Sequence, residues 1–124
     1  MDKKTLYSDG TYDSRTVDSL LSLGDPVFIR ELIDIFSKNT PEHLKNLQTY
    51  YQERNAWEMR QILHKMRGTC GTIGAKNMLA VVDAMREELI EENWSAVSPR
   101  LLEMGEVWSA TYPYLYLVFN LEQS

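Results

Sequence analysis

One cysteine and two histidines among 124 residues close off several kinds of chemistry at once. A single thiol forms no internal disulfide, which is compatible with a reducing cytoplasm and leaves stability to a packed core. His43 and His64 stand far apart in the chain, and no carboxylate lies three or four positions after His64 to complete a helical metal-ligand pair. Basic residues are in the minority, 13 Lys and Arg against 18 Asp and Glu, for a net charge of −5. The broad basic field that nucleic acid requires is therefore missing, although a small basic patch on an acidic body is allowed. No apolar run is long enough to span a bilayer, because the longest, Tyr112 to Leu121, contains Pro113 and Asn120. The opening MDKKTLYSDG lacks the apolar stretch of a secretory signal. Glycine-rich ATP-binding boxes, repeats and low-complexity linkers are also missing. These absences lead to the expectation of a soluble, cytoplasmic protein with no metal of its own, no nucleic-acid partner and no membrane insertion.

What the chain does have is apolar material at helical spacing. Apolar residues make up 44%, with three Trp, seven Tyr and three Phe, enough for the core of one domain. Residues 1–13 are polar and expected to be loose. From Ser14 the spacing of Val17, Leu20, Leu21 and Leu23 predicts a short helix stopped by Gly24. Asp25-Pro26 is the signature of a new start, an N-cap followed by proline at the first helical position. Ile29, Leu32, Ile33, Phe36, Leu44, Leu47 and Tyr51 continue at helical spacing, and Pro41 is expected to kink that helix or break it near Thr40. Asn55 can cap the next helix, whose inward stripe is Met59, Leu63, Met66, Cys70 and Ile73, with Gly74 ending or bending it. Met78, Leu79, Val82, Met85 and Leu89 then face inward, with Arg86, Glu87, Glu88, Glu91 and Glu92 outward. A last segment from Asn93 carries Trp94, Val97, Leu101, Leu102, Met104, Val107 and Trp108. The fold class is all-α, an antiparallel four-helix bundle with a short extra N-terminal helix and an aromatic C-terminal extension. The run YPYLYLVFNL is either a kinked continuation of the final helix or an extended tail.

The helix from Asn55 carries the most unusual face. At about 100° per residue, His64 lies on the flank opposite the Leu63–Met66–Cys70 stripe, with Arg60, Arg67 and Gly68 one turn away and Gly71 a turn beyond. Each glycine inside a helix costs about 1 kcal/mol relative to alanine, so Gly68 and Gly71 need a reason. Close approach of another backbone or protein is one, and close helix packing is another. A phosphoryl group would find charge balance in Arg67 and Lys65, with Arg60 adding to the field. The same positive charge would favour neutral His64, the form a nucleophile needs. A solvated face without chemistry is the competing reading of the same pattern.

Residues 64–75, HKMRGTCGTIGA, resemble the signature of histidine phosphotransfer domains of multistep two-component relays. That signature is a histidine, an apolar residue two on, a basic residue three on, glycine four on, small residues, an apolar residue and Gly-Ala. Here those positions hold His64, Met66, Arg67, Gly68, Thr69 with Cys70, Ile73, and Gly74 with Ala75. Arginine at the basic position departs mildly from the more usual lysine. Gly24-Asp25-Pro26, Pro41 and Trp57 also fit the family, and the likeness runs from about residue 14 to 104. It divides the chain into a flexible segment 1–13, a phosphotransfer bundle 14–104 and an extension 105–124, packed on the bundle or at a dimer contact.

The resemblance implies a carrier that accepts a phosphoryl group on His64 from an aspartyl phosphate and passes it to another aspartate. The partners it implies are response regulator receiver domains and a hybrid sensor histidine kinase. Mg²⁺ would sit in the receiver, with no cofactor and no autonomous kinase or hydrolase activity in this chain. Such a carrier is either free-standing or part of a hybrid kinase, and a monomer is expected. Gly68 and Gly71 would give the receiver access, and Phe28 and Ile35, with Leu20 or Leu21, are candidates for its docking surface. A Cys-His catalytic pair is disfavoured, since Cys70 lies six positions from His64, about 240° around the helix. His43 with Glu42 is expected to be a solvated face. The alternative function is a non-catalytic adaptor that binds receivers without carrying phosphate.

Overall fold

The computed structural model describes residues 1–121. Helices α1 (Lys3–Ser8) and α2 (Ser14–Ser22) precede four long ones, α3 (Pro26–Gln52), α4 (Ala56–Ile73), α5 (Lys76–Ile90) and α6 (Trp94–Thr111). A 3₁₀ turn over Tyr112–Tyr114 leads into a last short helix, α7 (Leu115–Val118). The described residues contain no strand. Joints of two or three residues between the long helices turn each one back along its predecessor, which makes an antiparallel bundle. Helix α4 packs between α3 and α5, α6 closes the bundle between α5 and α3, and α2 lies against α4.

The helix ends follow local chemistry. Asp25 Oδ1 accepts from the amides of Val27 (3.0 Å) and Phe28 (3.3 Å), with Pro26 at the first helical position. Asn55 accepts from the Glu58 amide at 3.1 Å and so starts α4. Gly74 ends α4 in the left-handed conformation, φ +82°, where the amides of Gly74 and Ala75 both donate to the Cys70 carbonyl (2.9 and 3.0 Å). Gly24 follows α2 with φ +77° in the same way.

Several expectations are corrected by tertiary packing. Pro41 does not break its helix, since α3 runs unbroken from Pro26 to Gln52. The proline is on the exposed side, and the buried stripe Ile29, Ile33, Phe36, Thr40 and Leu47 continues across it, so packing holds the helix where one amide bond is missing. Residues 1–13 are more structured than expected: α1 forms, and Leu6, Thr11 and Tyr12 are buried. The Tyr12 hydroxyl donates to the Thr111 carbonyl at 2.6 Å, and Asp13 N–H donates to the Gly74 carbonyl at 2.8 Å. The N-terminal arm thereby ties the end of α6 to the turn after α4.

Not every residue assigned to a face stays there. Glu88 is turned partly inward, with its side chain 18% exposed and paired to Arg100 at 2.9 Å. Leu102 is exposed rather than core. The C-terminal run is helical, and Trp108, Leu115, Val118 and Phe119 are buried in the main core. Phe36 meets Trp108 edge-on at 5.4 Å, and the Tyr116 hydroxyl donates to Asp34 on α3. The extension therefore covers one side of the bundle, and its final three positions, 122–124, lie outside the described residues.

A Cβ built on Gly74 would stand 2.9 Å from Thr16 Cβ, on a backbone conformation that side chains resist. Gly74→Ala is expected to cost about 1–3 kcal/mol in urea unfolding; an unchanged midpoint would show that the α4–α5 turn relaxes freely.

Candidate functional site

The rotation of α4 is set by what it buries. Met59, Ile62, Leu63, Met66, Cys70 and Ile73 are all within the core. Trp57, Gln61, His64, Lys65, Gly68, Gly71 and Thr72 are consequently exposed along the opposite face. His64 projects from the middle of this helix, with two turns of α4 on either side. The burial of Cys70 pushes its thiol up to about 12 and places it away from His64, which leaves no Cys-His pair.

The basic residues around His64 do not form one cluster. Lys65 leans toward α3, where its charge acts on His43. Arg67 leans the other way, and its Nε contacts Asp83 Oδ1 of α5 at 2.8 Å. Arg60 and Gln61 share a shallow depression of about 370 Å³ with His64, Arg86 and Ile90. Periodicity places Arg86 only on an outward face; its link to His64 comes from the α4–α5 packing register, which the periodicity of one helix does not contain. Trp57, seven positions before His64 on the same face, is 59% exposed and adds a large apolar surface there. Its i, i+7 spacing from His64 was the available signal.

Gly68 and Gly71 differ from Gly74. A Cβ at either position would meet nothing within 4 Å. Neither glycine is required by helix packing inside this chain, which removes that explanation for them. The space they leave faces outward, one turn and two turns beyond His64.

The candidate docking residues divide. Phe28 and Ile35, seven positions apart and so on one side of α3, are 48% and 54% exposed. Leu20 is buried, at 6% exposure, and is no longer a candidate; Leu21 is half-buried against the core. His43 is half-buried between α3 and α4 instead of lying on a solvated face. Burial, and secondarily the charge of Lys65, lower its pKa, with Glu42 opposing.

The family description of the Hpt domain matches residues 31–116. The chain belongs to the Hpt domain family. Family membership brings a histidine phosphotransfer role. The matched region starts later than residue 14 and extends past residue 104, taking in the end of α6, the 3₁₀ turn and the first half of α7. Among solved structures, the chain resembles the crystal structure of a rice protein assigned as a histidine-containing phosphotransfer protein, with 18% identity and a TM-score of 0.74. That match covers 94% of this chain and 84% of the rice chain, and at this identity it speaks to the fold. None of the curated proteins matches the sequence. Among the described residues, no helix of this Hpt chain is long and apolar enough to cross a membrane.

Two outcomes test this geometry. With open space around it, Gly68→Ala is expected to raise unfolding stability by about 0.5–1 kcal/mol; a loss would mean that something in the chain fills that space. His43, whose ordinary value is 6.5, holds fewer protons folded than unfolded, so its contribution is full above that value and is lost as pH falls through the lowered folded value. His43→Gln is expected to flatten the fall in stability on going from pH 7 to 5, and an unaltered slope in denaturation curves would contradict the burial of His43.

Proposed function

We propose that this Hpt protein carries a phosphoryl group on His64 and shuttles it between aspartates of response regulator receiver domains, one of them part of a hybrid sensor histidine kinase. The supporting observation is an exposed histidine in mid-helix beside two glycines that the chain's own packing does not require. An exposed ring is reachable by a second protein, and a face without side-chain bulk lets that protein's loops close over it.

In this reading the outer ring nitrogen of His64 attacks phosphorus in line. The aspartyl phosphate P–O bond breaks as the P–N bond forms, the receiver's carboxylate leaves, and the proton on the other ring nitrogen passes to solvent. Arg67 and Lys65 flank the ring from opposite sides and, with Arg60, set a positive field around the product, to which Arg67 adds less because Asp83 already pairs with it. Mg²⁺ and the acidic pocket that stabilise the moving phosphoryl group belong to the receiver, so transfer is slow without it. The chain then needs no cofactor and has no kinase or hydrolase activity of its own. Phe28 and Ile35 on α3 offer exposed apolar surface for docking.

Incubation with a phosphorylated receiver is expected to place acid-labile, alkali-stable phosphate on His64 and none on His64→Gln. Equal labelling of the variant would refute the assignment.

A further inference from the structure

The Arg67–Asp83 ion pair marks the register in which α4 and α5 face each other. In antiparallel helices, one turn back along the first is one turn forward along the second. His64, one turn before Arg67, therefore falls opposite Arg86, one turn after Asp83. Arg60 in turn falls opposite Ile90. The shallow depression lined by Arg60, Gln61, His64, Arg86 and Ile90 follows this register.

Arg60 and Arg86 line this groove, Arg67 stands one turn beyond His64, and the three differ in what they already hold. Arg67 has a carboxylate at 2.8 Å, so much of its field at His64 is cancelled by Asp83. Arg60 and Arg86 are both half-buried and make no ion pair or side-chain hydrogen bond among the described residues, and of the two it is Arg86 that the register sets directly opposite His64. A guanidinium in that state retains all of its donors for an incoming anion.

We infer that Arg86 of α5, across the groove, is the principal cation contacting the phosphoryl group on His64, with Arg67 held in reserve by Asp83. The inference rests on His64 being the phosphorylated residue. It assigns the contact to a helix outside the HKMRG segment. It also gives Asp83 a part, since that carboxylate withdraws the basic residue three positions after the histidine. Ile90, 69% exposed, forms the apolar lip of the same groove.

Phosphoramidate tests this on the full chain without any receiver. Its P–N bond breaks as phosphorus bonds to the ring nitrogen, and the departing ammonia takes up the proton from the other ring nitrogen. The readouts are the half-life of phosphohistidine and the ³¹P titration midpoint of its phosphoryl group, which a nearby cation lowers and a merely structural role would not move. Arg86→Gln is expected to shorten the half-life about fivefold and raise the midpoint. Arg86→Lys should restore most of the midpoint, and Arg67→Gln should move it little. The inference is overturned if Arg86→Gln titrates like the parent, or if Arg67→Gln shifts the midpoint as far. Parent protein that takes no phosphate on His64 would instead defeat the carrier reading, and this inference with it.

Discussion

The burial of one stripe of α4 is the interaction on which the rest depends. Met59, Leu63, Met66, Cys70 and Ile73 are essentially inaccessible to water. Burying each larger apolar side chain contributes roughly 1.5–3 kcal/mol, so turning the helix by even one residue position would cost several of them. That fixed rotation directs His64 outward. It also sends Lys65 toward α3 and Arg67 toward α5, and leaves the glycine side bare. The candidate site is the remainder of the core: whatever the stripe excludes becomes the exposed face that carries His64.

The surroundings hold α4 in place without covering that face. Helices α3 and α5 grip its two flanks, and α2 lies against it as well. At its C-terminus, the N-terminal arm bonds to the Gly74 carbonyl and, through Tyr12, to the end of α6. The C-terminal extension packs against α3 on another side, through Tyr116 and Asp34 and through the buried Leu115, Val118 and Phe119. Gly74, whose packing leaves no room for a Cβ, and Gly68, where a Cβ would meet only open space, show the same residue type in two roles on one helix. The first serves the turn, and the second leaves a surface empty.

Much of this was legible in the chain. The 4-3-4-3 spacing through α4 located the buried stripe and therefore the exposed histidine, and Asp25, Asn55, Gly24 and Gly74 marked helix ends by their local chemistry. The rest lay in contacts between elements. Leu6 and Tyr12 form no periodic stripe, so the order of the first thirteen residues appears only when Tyr12 finds Thr111. Pro41 carries a breaking signal that the packed stripe around it overrides. Arg86 and Asp83 become neighbours of α4 only through the packing register of α5, so one helix wheel could neither link Arg86 to His64 nor reveal that Arg67 is engaged. His43 looked solvated because its cover comes from α4.

The central claim is that the bare face of α4 is where a receiver domain closes over His64. Amide NMR mapping of this protein, titrated with a Mg²⁺-loaded receiver that exchanges phosphate with it, tests that most directly. The expected result is perturbation concentrated at Trp57, Gln61, His64, Gly68 and Gly71, extending to exposed α3 and α5 positions beside them. Perturbation confined to the surface between α3 and α6, around Gln48, Leu102 and Gly105, with the α4 face unchanged, would contradict it.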